Sequence, residues 1–242
     1  MILSKKKNII VFGSSGLIGS TLKKNLKYDF NIINLDKIKQ NVSDINIDAS
    51  KFTQSQKKID KLIKQYKKID AVIICIYPKT NKKKNSKTLK AHYKDFSLEF
   101  NTHLEPYYNL NKIFVDYFKR HGGGSIINFA SIYGSSLPKF EIYKNTQMIM
   151  PMYYALAKSS IIMMTKFLAK EFLKSKVRIN SISPGGIFDY QNKTFLKRYS
   201  NFCAYKKLLD SSDLVGLVEF LISDTSKKIT GQDFVIDDGF TL

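Results

Sequence analysis

The 242-residue chain predicts an α/β fold, a single doubly wound parallel sheet with helices on both faces, in one domain over residues 1–242. Three observations predict it. Short apolar runs alternate with helix-length amphipathic segments from end to end, as strands joined by crossover helices do. One run, Ala71-Val72-Ile73-Ile74-Cys75-Ile76, is apolar throughout, which fits a strand buried on both faces. The first run is followed at once by a glycine turn, Gly13-Ser14-Ser15-Gly16-Leu17-Ile18-Gly19. A chain this long buries roughly three quarters of its unfolded surface, so it needs no disulfide or metal staple.

The elements follow in order. Residues 8–12 (Asn-Ile-Ile-Val-Phe) form the first strand, and the glycine turn leads into a helix to about Tyr28. Residues 30–35 are the second strand, ending at Asp36, and a short strand near Ile45–Ile47 ends at Asp48. A lysine-rich amphipathic helix spans about 53–68, and residues 71–76 are the fourth strand. Residues 78–88 form a polar loop. A long helical region then runs to Arg120 and stops at Gly122-Gly123-Gly124. Residues 125–130 are the next strand. Pro151 opens a helix to about Lys174. Val177–Ser183 is a strand, residues 187–210 are irregular, and a last helix and the strand Asp233–Ile236 close the domain.

The formal net charge of +20 raises the question of a nucleic-acid or anionic-membrane partner. The only arginines are Arg120, Arg178 and Arg198, whereas base and phosphate readers favour the arginine fork. Lysines are spread along the chain, with one dense run at Lys82-Lys83-Lys84. That reads as a solvated, lysine-biased surface, with no nucleic-acid partner. No apolar run approaches the roughly 18 residues of a membrane span. Met1-Ile2-Leu3 followed by Lys5-Lys6-Lys7 lacks a signal-peptide pattern. A cytoplasmic protein without a membrane partner is expected. Cys75 and Cys203 have neither metal nor disulfide spacing. His92, His103 and His121 show no ligand spacing, so no metal is expected.

Three glycines after a first strand permit a tight turn, close approach of backbone to a pyrophosphate, and close helix packing. Gly13, Gly16 and Gly19 do this here, while Ser15, Leu17 and Ile18 bring main-chain N–H groups to the anion. Asp36 at the end of the second strand accepts hydrogen bonds from ribose hydroxyls and repels a 2′-phosphate. The pair predicts NAD as cofactor over NADP, although Lys37 could meet a phosphate.

Tyr154 and Lys158 lie at i and i+4 and share one helix face, so the ammonium can stabilise a phenolate. Tyr153 has Ala157 at that position. Ser131 follows one strand and Ser183-Pro184-Gly185-Gly186 the next. With the glycine turn, this order resembles the short-chain dehydrogenase/reductase family, whose fold is of the Rossmann type, over essentially the whole chain. The resemblance implies Asn101, Ser131, Tyr154 and Lys158 as catalytic residues. It implies Pro184, Gly185 and Ile187 beside the nicotinamide, Asp48 near the adenine, and contacts of Tyr154 and Lys158 with the cofactor. Two departures stand out. Ile74-Cys75-Ile76-Tyr77 replaces a polar Asn-Asn-Ala-Gly stretch, and Ser131 and Tyr154 are 23 residues apart, farther than the family usually has them.

The added stretch contains Lys139-Phe140-Glu141-Ile142-Tyr143. With Ala130-Ser131-Ile132-Tyr133-Gly134, Gly185-Gly186-Ile187-Phe188-Asp189, Asp237-Asp238-Gly239-Phe240 and Tyr77-Pro78-Lys79, it resembles the flagellin-modification protein A subgroup. That implies a sugar-like small-molecule substrate on the way to surface glycans, nonulosonic acids in particular, and a homodimer or homotetramer. Tyr133, Glu141, Tyr143, Gly186 and Ser131 are then the expected substrate contacts. In the mechanism so implied, Tyr154 is base in oxidation and acid in reduction. Ser131 holds the reacting oxygen, Lys158 lowers the Tyr154 pKa, and Asn101 binds a water leading from Lys158 to solvent. A ketoreductase of acyl substrates and a catalytically weak dinucleotide-binding protein are the alternatives.

Overall fold

The computed structural model describes residues 6–38, 44–78 and 92–242. The Lys82-Lys83-Lys84 run, Lys79 and the first residues of the N-terminus lie outside the described residues. Seven strands form one parallel sheet: β1 (Asn8–Phe12), β2 (Asn31–Asp36), β3 (Ile45–Asn46), β4 (Ala71–Ile74), β5 (Gly124–Phe129), β6 (Val177–Pro184) and β7 (Asp233–Ile236). Their order is β3-β2-β1-β4-β5-β6-β7. Among the described residues, six α-helices cover them: α1 (Leu17–Leu26), α2 (Phe52–Tyr66), α3 (Tyr93–Arg120), α4 (Met152–Glu171), α5 (Lys193–Ser200) and α6 (Val215–Ile222).

Strand alternation divides the core into two layers. Ile10 and Phe12 of β1 pack with Ile33, Val72 and Ile126 beneath α2, α3 and α4. Ile9 and Val11 pack with Ile73, Ile127 and Ile182 beneath α1 and α6. Each large aliphatic side chain buried this way contributes roughly 1.5–3 kcal/mol. A third cluster lies over the sheet's carboxyl end. It joins Ile132, Tyr133 and Ile142 to Phe195, Tyr199, Leu208 and Phe240.

β1 lies between β2 and β4, so the chain leaves β1 in one direction and returns on its other side. Such a reversal opens a crevice at the strands' carboxyl ends. The glycine turn, Asp36, Ser131 and Gly185 all follow or end strands there.

The fold class and the element order agree with the sequence. Two local details differ. β4 ends at Ile74, with Cys75 and Ile76 beyond it. Residues 187–210, expected to be irregular, contain α5, whose first turn is capped by the Asn192 side chain accepting from Thr194 N–H at 2.9 Å.

Candidate active site

Buried Ile161, Ile162 and Ala169 hold α4 against the core. This phase turns Lys158 inward, 4% exposed. Its Nζ lies 5.8 Å from the Tyr154 ring centroid and 5.1 Å from that of Tyr107. It donates to the Phe129 carbonyl at 2.8 Å. Burial pulls the ammonium down to about 7, opposed by Cys75. Burial also raises the Tyr154 phenol, and a hydrogen bond with Ser131 works against that rise. In this cleft desolvation therefore disfavours charge on both partners. Ser131 follows β5, and its Oγ accepts from Tyr133 N–H at 3.3 Å.

Asn101 requires a correction. It stands exposed on α3, in a groove with Leu104, Tyr108, Ser160 and Met164. The residue that α3 directs at Tyr154 is His103, two positions on. Its ring lies 5.6 Å from that of Tyr154, edge-on at 87°. The cause is helix phase, since two residues turn a side chain about 200°.

The turn from β1 into α1 is fixed by main-chain contacts. Gly13 has φ +83°, and a Cβ there would sit 2.7 Å from the Cys75 carbonyl oxygen. A Cβ on Gly19 would sit 2.1 Å from the Gly13 carbonyl oxygen. Gly16 opens α1 without a side-chain cap, so the N–H groups from Leu17 onward begin a helix end suited to an anion. The buried Ser14 hydroxyl in this turn has no hydrogen-bond partner among the described residues. Asp36 Oδ2 accepts from Ser15 N–H at 2.9 Å and Oδ1 from Ile38 N–H at 2.9 Å, which holds the carboxylate beside the glycine turn. Lys37 turns away to pair with Asp48 at 3.3 Å. Burial would raise Asp48, but Ser50 and Lys37 together bring it below its ordinary value. These residues fit a dinucleotide: a cradle without side chains, an open helix end and a held carboxylate.

Replacement of the Asn-Asn-Ala-Gly stretch does not loosen this turn. Cys75 N–H donates to the Phe12 carbonyl at 3.0 Å, so main chain braces β4 to β1. At the far side, Pro184 ends β6, Gly185 N–H donates to Ile236 at 2.9 Å, and Ile187 bridges to Leu209.

The stretch between Ser131 and Tyr154 folds over this end. Phe140–Tyr143 forms a 3-10 turn with Ile142 buried. The Tyr133 and Tyr143 hydroxyls meet at 2.9 Å. Glu141 is exposed, and its charge, after burial, helps raise the Tyr133 phenol. The Gly186 N–H is taken by the Tyr199 hydroxyl at 2.5 Å, so this glycine faces Tyr199 and not an open pocket.

The chain matches, over residues 33–241, the family model described as enoyl-(acyl carrier protein) reductase. It is 33% identical to post-translational flagellin modification protein A of Campylobacter coli, covering 98% of this chain and 99% of that one. The chain belongs to the short-chain dehydrogenase/reductase family. The 7alpha-hydroxysteroid dehydrogenase of Bacteroides fragilis is 26% identical, over 98% of this chain and 95% of that one. Among solved structures, a short chain dehydrogenase of Leptospira borgpetersenii with bound NAD+ superposes with a TM-score of 0.87. It is 31% identical and covers 100% of this chain and 98% of that one.

Some residues that shape this short-chain dehydrogenase site escaped the sequence reading. Asn111, Asn128 and Thr165 form a buried network joining α3, β5 and α4: Asn111 Nδ2 donates to Asn128 Oδ1 at 2.8 Å, and Asn128 Nδ2 to Thr165 Oγ1 at 3.0 Å. It fixes the helix carrying Tyr154 against the strand leading to Ser131. Tyr107 lies beneath Lys158. The available signal was the spacing of Glu99, His103 and Tyr107, one helix turn apart on α3.

Proposed function

We propose that this enzyme is an NAD-dependent oxidoreductase that interconverts a hydroxyl and a carbonyl on a sugar-like substrate, in the making of surface glycans. The observation that carries the reading is buried Lys158 one helix turn from half-buried Tyr154, its Nζ 5.8 Å from the Tyr154 ring centroid, with Ser131 acting against the rise of the phenol. NAD over NADP is supported by the Asp36 carboxylate beside the glycine turn and by Lys37 being engaged by Asp48. A sugar is supported by the Tyr133–Tyr143 hydroxyl pair and by the likeness to the Campylobacter coli protein. We place the chain in the cytoplasm as one domain, a homodimer or homotetramer without nucleic-acid or membrane partner. The exposed Met163 and Phe167 on α4 support association.

Bound along the glycine turn, the dinucleotide supplies the hydride acceptor or donor. The chain's own residues handle orientation and the proton. Ser131 Oγ–H donates to the reacting oxygen. In oxidation the Tyr154 phenolate takes the hydroxyl proton; in reduction the phenol returns it. A protonated Lys158 stabilises the phenolate and so lowers the cost of ionising a buried tyrosine.

The test is a screen of phosphorylated and nucleotide-linked amino sugars for NADH formation, with NADP in parallel and a β-ketoacyl thioester in the reverse direction. Turnover of a sugar with NAD is expected. Turnover of the thioester alone would assign the enzyme to acyl reduction.

A further inference from the structure

Two buried titratable side chains of α3 have no part in the mechanism above. Glu99 is 6% exposed and His103 4% exposed. They stand one helix turn apart, with Tyr107 one turn further, so the three share a face. The His103 ring is surrounded by aromatic rings: Tyr77 at 5.6 Å, Tyr153 at 5.7 Å and Tyr154 at 5.6 Å. The Tyr77 ring also lies 6.2 Å from that of Tyr154. Glu99 keeps one carboxylate oxygen buried without a hydrogen-bond partner among the described residues. Its charge is felt at Tyr77, whose phenol is raised first by burial and then by Glu99. A buried polar atom left unpaired is costly, and its retention calls for an explanation.

We propose that His103 and Glu99 form the proton path of this active site, carrying protons between Tyr154 and the start of α3. The proposal rests on the reading of Tyr154 as the acid–base group. The groups around His103 are Tyr77 from the segment after β4, Tyr153 and Tyr154 from α4, and Lys158, whose charge it feels; Glu99 and Tyr107 lie one turn to either side of it on its own helix. Burial, then the Lys158 ammonium, holds the imidazole down to about 4. At neutral pH it therefore has one free ring nitrogen and one N–H. The Tyr154 hydroxyl gives its proton to the free nitrogen while the other nitrogen releases its own to the Glu99 carboxylate. The imidazole ends neutral in the other tautomer, and the glutamic acid gives the proton to water. Reversal recharges Tyr154 for reduction. Asn101, on the outward face of α3, has no place in this row.

The experiment follows proton release on mixing the enzyme with NAD+, using an indicator dye in weak buffer, and needs no substrate. The cationic nicotinamide favours the Tyr154 phenolate, so wild type releases a proton and Tyr154→Phe does not. His103→Phe binds NAD+ as wild type does by calorimetry, yet releases the proton at least about tenfold more slowly. Free imidazole restores the rate, and Glu99→Gln slows it as well. Release at the wild-type rate in His103→Phe overturns the path and leaves Tyr154 in its role. Release that persists in Tyr154→Phe overturns the parent reading instead. Nitrogen NMR of the unaltered protein adds a check independent of any variant. His103 stays neutral down to about pH 4 and changes tautomer population when NAD+ binds. An imidazolium at pH 6, or a tautomer balance indifferent to NAD+, overturns the proposal.

Discussion

At the turn from β1 into α1, the contacts that define the site join main-chain atoms. Gly13 and Gly19 leave room for no side chain, and the carboxylate of Asp36 is held by two backbone N–H groups. At the other end of the cleft the contacts join side chains. Tyr133 meets Tyr143, Tyr199 stacks on Phe240 at 4.0 Å, and Lys139 lies over Phe202 at 4.6 Å. The first arrangement suits a ligand whose phosphates are recognised by N–H groups; the second can be reshaped by single substitutions. On the proposed function, the difference separates the part of the enzyme that would fix a cofactor from the part that would select a substrate.

Four substitutions probe that contrast, from the largest effect to the smallest. Gly19→Ala brings a methyl group onto the Gly13 carbonyl; it costs about 3 kcal/mol in thermal unfolding and removes NAD binding. Wild-type stability there would show that the turn yields like a side-chain contact. Lys158→Met affects stability in the opposite sense. The Lys158 ammonium is pulled from 10.5 to about 7, so between those pH values the unfolded chain holds a proton that the folded chain lacks. Stability therefore rises with pH across that window. Lys158→Met removes the pH dependence and raises Tm at pH 7, while turnover falls. A lower Tm with the slope intact contradicts this.

Asp36→Ala is expected to bring the NAD and NADP affinities closer by about 1.5–3 kcal/mol, the worth of a hydrogen bond to a charged group, read by calorimetry at fixed salt. Tyr143→Phe removes one hydroxyl of the tyrosine pair and weakens kcat/KM for the true substrate by about 1 kcal/mol, with cofactor affinity unchanged. A change in NAD affinity with Tyr143→Phe would erase the division between the two ends.

The same contrast explains what the sequence made legible. The glycine spacing, Asp36 and the Tyr154–Lys158 pair are local patterns, and strand–turn–helix chemistry or helix spacing determines where they lie. Lys158 emerges buried beside Tyr154 for that reason. Asn101 stands exposed and apart from Tyr154 because the place of a side chain on a 28-residue helix depends on how the helix is rotated about its axis. That rotation is set by distant partners such as Phe12, which packs against Phe114 at 5.8 Å. Glu141, expected as a substrate contact, is exposed on a 3-10 turn, because Ile142 takes the buried position beside it. Gly186 meets Tyr199 through a helix 13 residues on, a contact that no spacing rule anticipates.

The central claim is that Tyr154, and not its neighbour, handles the proton. Turnover of Tyr154→Phe and Tyr153→Phe, measured side by side with NAD and the substrate from the screen, tests it most directly. Tyr154→Phe is expected to lose about 10²–10⁴-fold in kcat with NAD affinity preserved, while Tyr153→Phe keeps most of its activity. Full activity in Tyr154→Phe with loss in Tyr153→Phe would contradict the account.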